Sequence, residues 1–451
     1  MSAGRDDRRD EERKPGPGGA AGTPQQEVSG TGPDGLPERL PGPEWVVSEA
    51  GATSSFVKPF LYALGRIREN EQLTPAQYAD RAKQLMIDRL GMSAELPVAA
   101  FAHGAIGIMT DHTTYFDGFA LLLHLRQGLS VAVRKTDRDE SRFVSEAVED
   151  VESFDLHDER PGRSIGSLFT SVTRHAGLVG EHQIDIALIG ALPPGVGVAY
   201  YSTLVTAALR AVHVLEGRTV DDREIRRQAS DALEQWLGRP VSPAYLIAAE
   251  AMDEAPFLLV DTKTGERLSL DVPPSERPGW AIVDTRSGDL PPTESVLERR
   301  RKSVRALQDV KEKLFPNLES LRDLAHRDLD RAVAAVPRRS RSVLRYLISE
   351  NRNVQQLVVS IRRRDWQYFG GVMMISQAAK QNDWSTATAG IRSVVELADR
   401  HGLEGIHGAV QTGESGSILI LGRPFSLPAF LDDVKEASTG DTNREITTFI
   451  V

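Results

Sequence analysis

The chain has 451 residues, enough for two domains of ordinary size, and its 40% hydrophobic and 26% charged residues suit a folded protein with a sizeable core. The formal charge of −10 speaks against a broad nucleic-acid surface, because such affinity rests on neutralising phosphates. Cysteine is absent, which excludes disulfides, thiolate metal sites and a cysteine nucleophile.

Residues 1–43 are Gly, Pro and charge with hardly any large apolar side chain. Such a segment cannot bury enough surface to offset its ordering entropy, so a disordered tail is predicted. Arg8-Arg9 stand among acids with no apolar segment behind them, which argues against an export signal. No uninterrupted apolar run approaches the roughly 18–20 residues of a membrane span. The expectation is a cytoplasmic protein with neither membrane nor nucleic acid as partner.

From Trp45 the composition turns globular. Thr74-Pro75 is an N-cap followed by an N1 proline, and Tyr78, Ala82, Leu85, Met86 and Leu90 follow at helical spacing. Short β-type runs come next at Val98–Phe101, Ser130–Val133 and Ile184–Ile189, then a helix over Thr203–Leu215. Phe257–Asp261 and Trp280–Asp284 read as strands, with Gly265 in the turn after the first. Beyond residue 290 the pattern is mostly amphipathic helix: Val296–Leu314, Leu318–Val336, Ser340–Arg363 and Trp366–Ala379. A strand at Ser417–Leu421 and a helix at Pro428–Ala437 close the chain, and no internal repeat is present. Strands mixed with helices, followed by a helix-rich half, predict an α+β protein of two domains with a cleft between them.

Three blocks carry chemistry. In Gly104–Leu121, GAIGIMTDHTTYFDGFAL, the polar residues Asp111, His112, Tyr115 and Asp117 gather in one turn. An Asp-His pair can orient an imidazole for acid–base work; His112 can equally be a structural residue bonded to backbone. His103 has no metal-ligand spacing with them, so no metal site is expected. The second block, Leu192–Leu204, holds Pro193, Gly195 and Gly197 before a helix, a pattern that lets backbone approach phosphate or simply makes a tight turn. The third is Gly408–Ser417, GAVQTGESGS, with Gly413 and Gly416. The arginine clusters at 299–301, 338–341 and 362–364 are interleaved with acids and read as solvated helix faces.

The first block resembles the first signature of galactokinases, members of the GHMP small-molecule kinase superfamily: Gly-Arg-Val-Asn-Leu-Ile-Gly-Glu-His-Thr-Asp-Tyr, a short turn, then Gly-Phe-Val-Leu. Gly104, Ile108, His112, Thr113, Tyr115, Gly118, Phe119 and Leu121 keep step; Ala105 replaces the Arg, Asp111 the Glu and Thr114 the Asp. The second block is similar to the family's Pro-x-Gly-x-Gly-Leu-Ser-Ser-Ser-Ala, with Ala199-Tyr200-Tyr201 in place of the serines and the hydroxyls of Ser202 and Thr203 displaced. The third looks like Gly-Ala-Arg-x-Thr-Gly-Ala-Gly-Phe-Gly-Gly, shortened and carrying Glu414. The segments at Arg286–Arg301, Ser320–Asp323, Ile348–Val354, Asp365–Phe369 and Ser385–Leu397 also keep step, and the resemblance runs from about residue 95 to 440.

The resemblance implies a two-domain GHMP fold, with an N-terminal domain at 44–275 and a helix-rich C-terminal domain at 276–451. It implies a sugar-like ligand at Asp111, His112, Tyr115 and Asp117. ATP and Mg²⁺ would lie at Gly195, Gly197, Ser202, Thr203, Gly413 and Gly416, against which Ala199-Tyr200-Tyr201 and Glu414 speak. The family's catalytic Asp falls on Tyr245 when counted back from Leu258-Leu259-Val260-Asp261, or on Ala248 when anchored on Ser242-Pro243; Glu250 and Asp253 lie nearby. The family's sugar-contacting Tyr becomes Val296. Two readings stay open: a divergent enzyme acting on a sugar-like polyol, by rewired phosphoryl transfer or repurposed chemistry, and a silent pseudokinase that binds a ligand and signals through a protein partner.

Overall fold

A computed structural model of the chain describes residues 73–147, 150–158, 162, 164–178, 182–192, 194–251, 255–285, 293–439 and 446–451. The predicted tail at 1–43, Pro193, Asp253 and the segment 286–288 lie outside the described residues.

Helix α1 (Pro75–Leu90) opens with a capping box, in which the Thr74 hydroxyl accepts from Gln77 N and the Gln77 side chain accepts from Thr74 N. Two long antiparallel strands follow, β1 (Val98–Met109) and β2 (Phe119–Thr136). With β3 (Ser141–Ser145), β4 (Glu152–Phe154), β5 (Gln183–Gly190), β6 (Phe257–Asp261) and β7 (Arg267–Leu270) they form a seven-stranded sheet in the order β4-β3-β5-β2-β6-β7, with β1 also on β2. The two halves of β2 serve different partners: 119–123 pairs with β6 and 129–136 with β5. The sheet is covered on both faces. Ala132, Ala187 and Ile189 pack on Tyr78, Ala82 and Met86 of α1, while Val131, Val133, Ile186 and Leu188 face α2 (Ile165–His175) and α3 (Val198–Leu215). Helix α3 is long and apolar enough to cross a membrane, but most of it is buried inside the protein.

After α4 (Asp222–Leu237) and α5 (Pro243–Ala249), the stretch between β7 and β8 (Gly279–Asp284) passes to a second, antiparallel sheet ordered β11-β8-β10-β9. Its other strands are β9 (Ile406–Thr412), β10 (Ser417–Gly422) and β11 (Thr447–Ile450). Helix α6 (Thr293–Lys313) and short α7 (Leu329–Ala335) precede α8 (Arg341–Arg363) and α9 (Trp366–Ala379). A π-turn at Lys380–Trp384 leads to α10 (Ala389–Arg400), and α11 (Leu427–Thr439) lies near the end. One face of this sheet packs on α10 and α11. The other joins α8, α9 and the first sheet, through an aromatic cluster of Phe257, Trp280, Trp366 and Phe369 with centroids 5.8–6.2 Å apart.

The expected helix over Leu318–Val336 is broken into single turns before α7. Asp323 folds back to accept from Ser320 N at 2.8 Å, closing the first turn, and Arg322 is drawn away to Asp261 at 2.9 Å. The expected start of the second-block helix at Thr203 moves to Val198, because Gly197 at φ 60° supplies the entry.

Candidate functional site

The first-block turn is the link between β1 and β2. It folds tightly because His112 (φ 72°) and Asp117 (φ 61°) take left-handed conformations and Gly118 N donates to Thr113 O at 3.1 Å. From α8, Tyr346 OH donates to Asp111 O at 3.3 Å, and Asn351 receives Phe119 N at 3.1 Å. The Asp117 carbonyl accepts from Arg322 at 2.9 Å, and that guanidinium holds the Asp261 carboxyl down at about 2.

Asp111 is buried against Lys380, whose ammonium lies 3.0 Å from Oδ2 and also donates to Gln411 O at 2.7 Å. Burial works to raise this carboxyl, but Lys380, His112 and Thr110 together hold it below its ordinary value. Tyr245 is one of the two positions, with Ala248, on which the catalytic carboxylate of the resembled family falls; its hydroxyl meets Thr110 Oγ1 at 2.7 Å and Asp111 Oδ1 at 3.3 Å. Ala105 and Ala248 are buried in the core. Thr114 donates to Ser242 at 2.9 Å.

His112 lies on the other side of the same turn. Its ring stacks on Trp384 at 4.5 Å, and Nδ1 sits 3.8 Å from Glu414 Oε1. Burial drives its pKa down to about 4, against the pull of Glu414 and Asp111. Glu414 accepts a short hydrogen bond from Tyr115 OH and lies 2.7 Å from Arg239 Nη1. The Tyr115 hydroxyl is raised well above its usual range by burial and by that carboxylate.

The third block is the β9–β10 turn. Ser415 N donates to Thr412 O at 3.2 Å, and Gly413 (φ 66°) and Glu414 (φ 52°) both have positive φ, the backbone signature of a type I′ turn. This turn lies on the second block. Gly413 O accepts from Val198 N at 3.0 Å, Ser417 Oγ donates to Gly195 O at 2.6 Å, and a side chain at 413 would start 1.9 Å from Val196 O. The Asp284 carboxylate lies against Gly195, and Gly416 O accepts from Thr285 at 2.8 Å. Ser202 is buried in the core, and the Thr203 hydroxyl turns back to Ala199 O at 3.0 Å.

The structure thus brings Asp111, His112 and Tyr115 together with Glu414, places Asp117 at the far end of their turn, and brings Gly195 and Gly197 against Gly413. His103 stands apart from them, its Nδ1 3.2 Å from Leu125 O. Among the described residues no group of three His, Asp or Glu side chains could hold a metal ion. Glu250 turns to Arg226 at 2.9 Å, and burial raises it to about 7. Val296 is buried in α6. Sequence reasoning missed Lys380, Arg239, Tyr346 and Trp384; each arrives from a distant segment, and none carries a local pattern.

No family model matches the chain. It is 24% identical to a galactokinase of Roseiflexus sp. (strain RS-1), over 77% of this chain and 89% of that protein. It is 22% identical to a galactokinase of Streptomyces coelicolor, over 74% and 87%. Among solved structures, Lactococcus lactis galactokinase complexed with galactose superposes with a TM-score of 0.70 at 17% identity, covering 82% of this chain and 97% of that one. L. major mevalonate kinase in complex with R-mevalonate gives 0.53 at 14%, covering 80% and 97%. By collinear sequence the chain is galactokinase-like, and it has the fold of the GHMP small-molecule kinases.

Proposed function

We propose that this protein is a ligand-binding pseudokinase of the galactokinase-like type, acting as a cytoplasmic sensor or regulatory protein on a sugar-like small molecule. The observation that carries the reading is the seal between the second and third blocks. The N-terminus of α3, which in the family faces phosphate, spends the Val198 N–H on Gly413 O, and the turn that would have to open is held by Ser417 and Gly195. The residues present do not fit a magnesium nucleotide. The Ser202 and Thr203 hydroxyls point into the fold or back to their own helix, and Glu414 adds a buried carboxylate where phosphate charge would gather. The domain limits, 44–275 and 276–451, belong to the same proposal.

Phosphoryl transfer needs charge stabilisation at the transferred group and an orienter for the hydroxyl. Ala105, and either Tyr245 or Ala248, supply neither charge. A second reading, rewired transfer or other chemistry on a polyol, draws on one observation: Asp111 is kept ionised beside Lys380 and could accept a hydroxyl proton. Calorimetric titration with ATP·Mg²⁺ and a transfer assay with galactose decide between them. The proposal expects no heat at micromolar nucleotide and no sugar phosphate; turnover would establish the enzyme instead.

A further inference from the structure

The arginines of α8 are sorted by the fold in a way the sequence does not show. The helix has one acid among its 23 residues, Glu350, and that side chain is buried, accepting from Ser376 Oγ at 2.6 Å. Along its C-terminal half α8 shows solvent Arg352, Gln355, Val359 and Arg363, one stripe at helical spacing, with Arg362 at the edge. The acids around this stripe are already engaged. Asp383 pairs with Arg345 at 3.0 Å, Glu276 pairs with Arg364, and Asp365 caps α9 by accepting from Tyr368 N at 2.9 Å. Arg352 meets His326 Nδ1 at 3.0 Å, an imidazole on which Asp330 also acts. Arg362 and Arg363 have no partner among the described residues.

Helix α9 lies beside this stripe, with the Gln356 amide donating to Tyr368 OH at 3.0 Å, and none of its 14 residues is charged. A helix apolar on all sides belongs in an interior. Yet Tyr368 is 46% exposed and Ile375 60%, as is Val359 of α8 at 43%, and Gly371 has open space above it. The stripe from Tyr368 through Gly371 and Ile375 to Ala378 runs for about 15 Å, and the α8 stripe is about as long, so one helix of roughly three to four turns covers both. The surroundings select that helix. Unpaired arginines beside an apolar strip call for carboxylates, and a chain of formal charge −10 repels an acidic partner elsewhere while this face attracts it. A second copy offers the same face with its acids already engaged. An interfacial membrane helix carries its own Lys and Arg beside its apolar face, and α9 carries none.

We infer that the exposed face of α8 and α9 is a docking surface for an acidic amphipathic helix of a protein partner. The inference stands on this face alone and goes beyond the pseudokinase reading, for which it would be the output surface. The probe is a synthetic helical peptide of roughly 16 residues, a Leu stripe flanked by Glu, titrated onto the full chain by fluorescence anisotropy beside the same peptide with Lys for Glu. The Glu peptide should bind about tenfold or more tighter than the Lys peptide, and more weakly as salt rises. Arg352→Glu/Arg363→Glu should lose about tenfold or more of that affinity, as should Ile375→Gln. Arg223→Glu, an exposed reversal on α4, should change nothing. All these side chains are exposed, so the variants should keep the parent melting temperature. If the Glu pair melts early, Arg352→Gln/Arg363→Gln must move affinity the same way. Equal binding of the two peptides, no Glu-peptide binding below about millimolar, or full affinity in the folded variants would each overturn the inference. So would tighter binding to phosphatidylserine vesicles than to the peptide, or a dimer in sedimentation that Ile375→Gln dissolves. A parallel transfer assay keeps the two ideas separable: turnover removes the pseudokinase reading and leaves this surface standing, and absent peptide binding does the reverse.

Discussion

Glu414 is held in an unfavourable backbone well, φ 52°, at a turn position that usually takes Gly or Asn. What keeps it there is its side chain, between Arg239 and Tyr115. Glu414→Gln would leave the Arg239 charge buried without its counter-ion, and we expect a loss of about 3–5 kcal/mol in chemical denaturation. Adding Arg239→Gln should recover most of that loss; a double variant no better than the single would show that the pair does not act as a unit. His112 makes a second residue-scale prediction. Its folded pKa, about 4, lies below the ordinary 6.5, so the unfolded chain binds the proton first as pH falls. Its stabilising contribution is complete above about 6.5 and is lost progressively toward 4, by roughly 3 kcal/mol at most. Glu250, raised to about 7, works with the opposite sign between its ordinary value and 7, so the measurement is a difference. His112→Asn, which tolerates the left-handed backbone, should flatten melting temperature against pH in that window; an unchanged profile would show that His112 does not titrate on unfolding.

At the scale of elements, the β9–β10 turn and the N-terminus of α3 form one closed unit. Gly413→Ala places a methyl 1.9 Å from Val196 O at a positive φ, so either the turn or the helix start must move. We expect about 2 kcal/mol or more of destabilisation, with faster amide exchange at Val198, whose N–H bonds to Gly413. Unaltered exchange there would mean the seal is looser than its geometry. This scale also shows what the sequence could reveal. The first-block turn was legible because Gly104, His112, Tyr115 and Gly118 hold fixed spacings around a reversal of the chain. The length of β2 was not, since a strand buried on both faces shows no alternation from Phe119 onward. The broken helix at 318–336 kept an apolar period that suits helix and single turns alike. Lys380 and Arg239 could not be assigned to the site, because only the fold brings them to residues 269 and 175 positions away, Asp111 and Glu414.

For the molecule as a whole, the aromatic cluster joining the two sheets argues for a single unfolding unit. Phe369 is fully buried and touches Phe257 on one sheet and Trp280 on the other. Phe369→Ala should cost about 3–5 kcal/mol while calorimetry still shows one transition. Two separated transitions, in the parent or the variant, would instead show that the sheets unfold independently.

The stacking of Trp384 on His112 has an optical consequence. The indole is buried, 4.5 Å from the imidazole at an interplanar angle of 27°, in a chain with five tryptophans. Its emission is therefore coupled to whatever happens to that imidazole, be it protonation, displacement or a new neighbour. Replacing the other four tryptophans by Phe would leave Trp384 as the single tryptophan, excited selectively over the eight tyrosines, so that changes around His112 can be followed by light with no label attached.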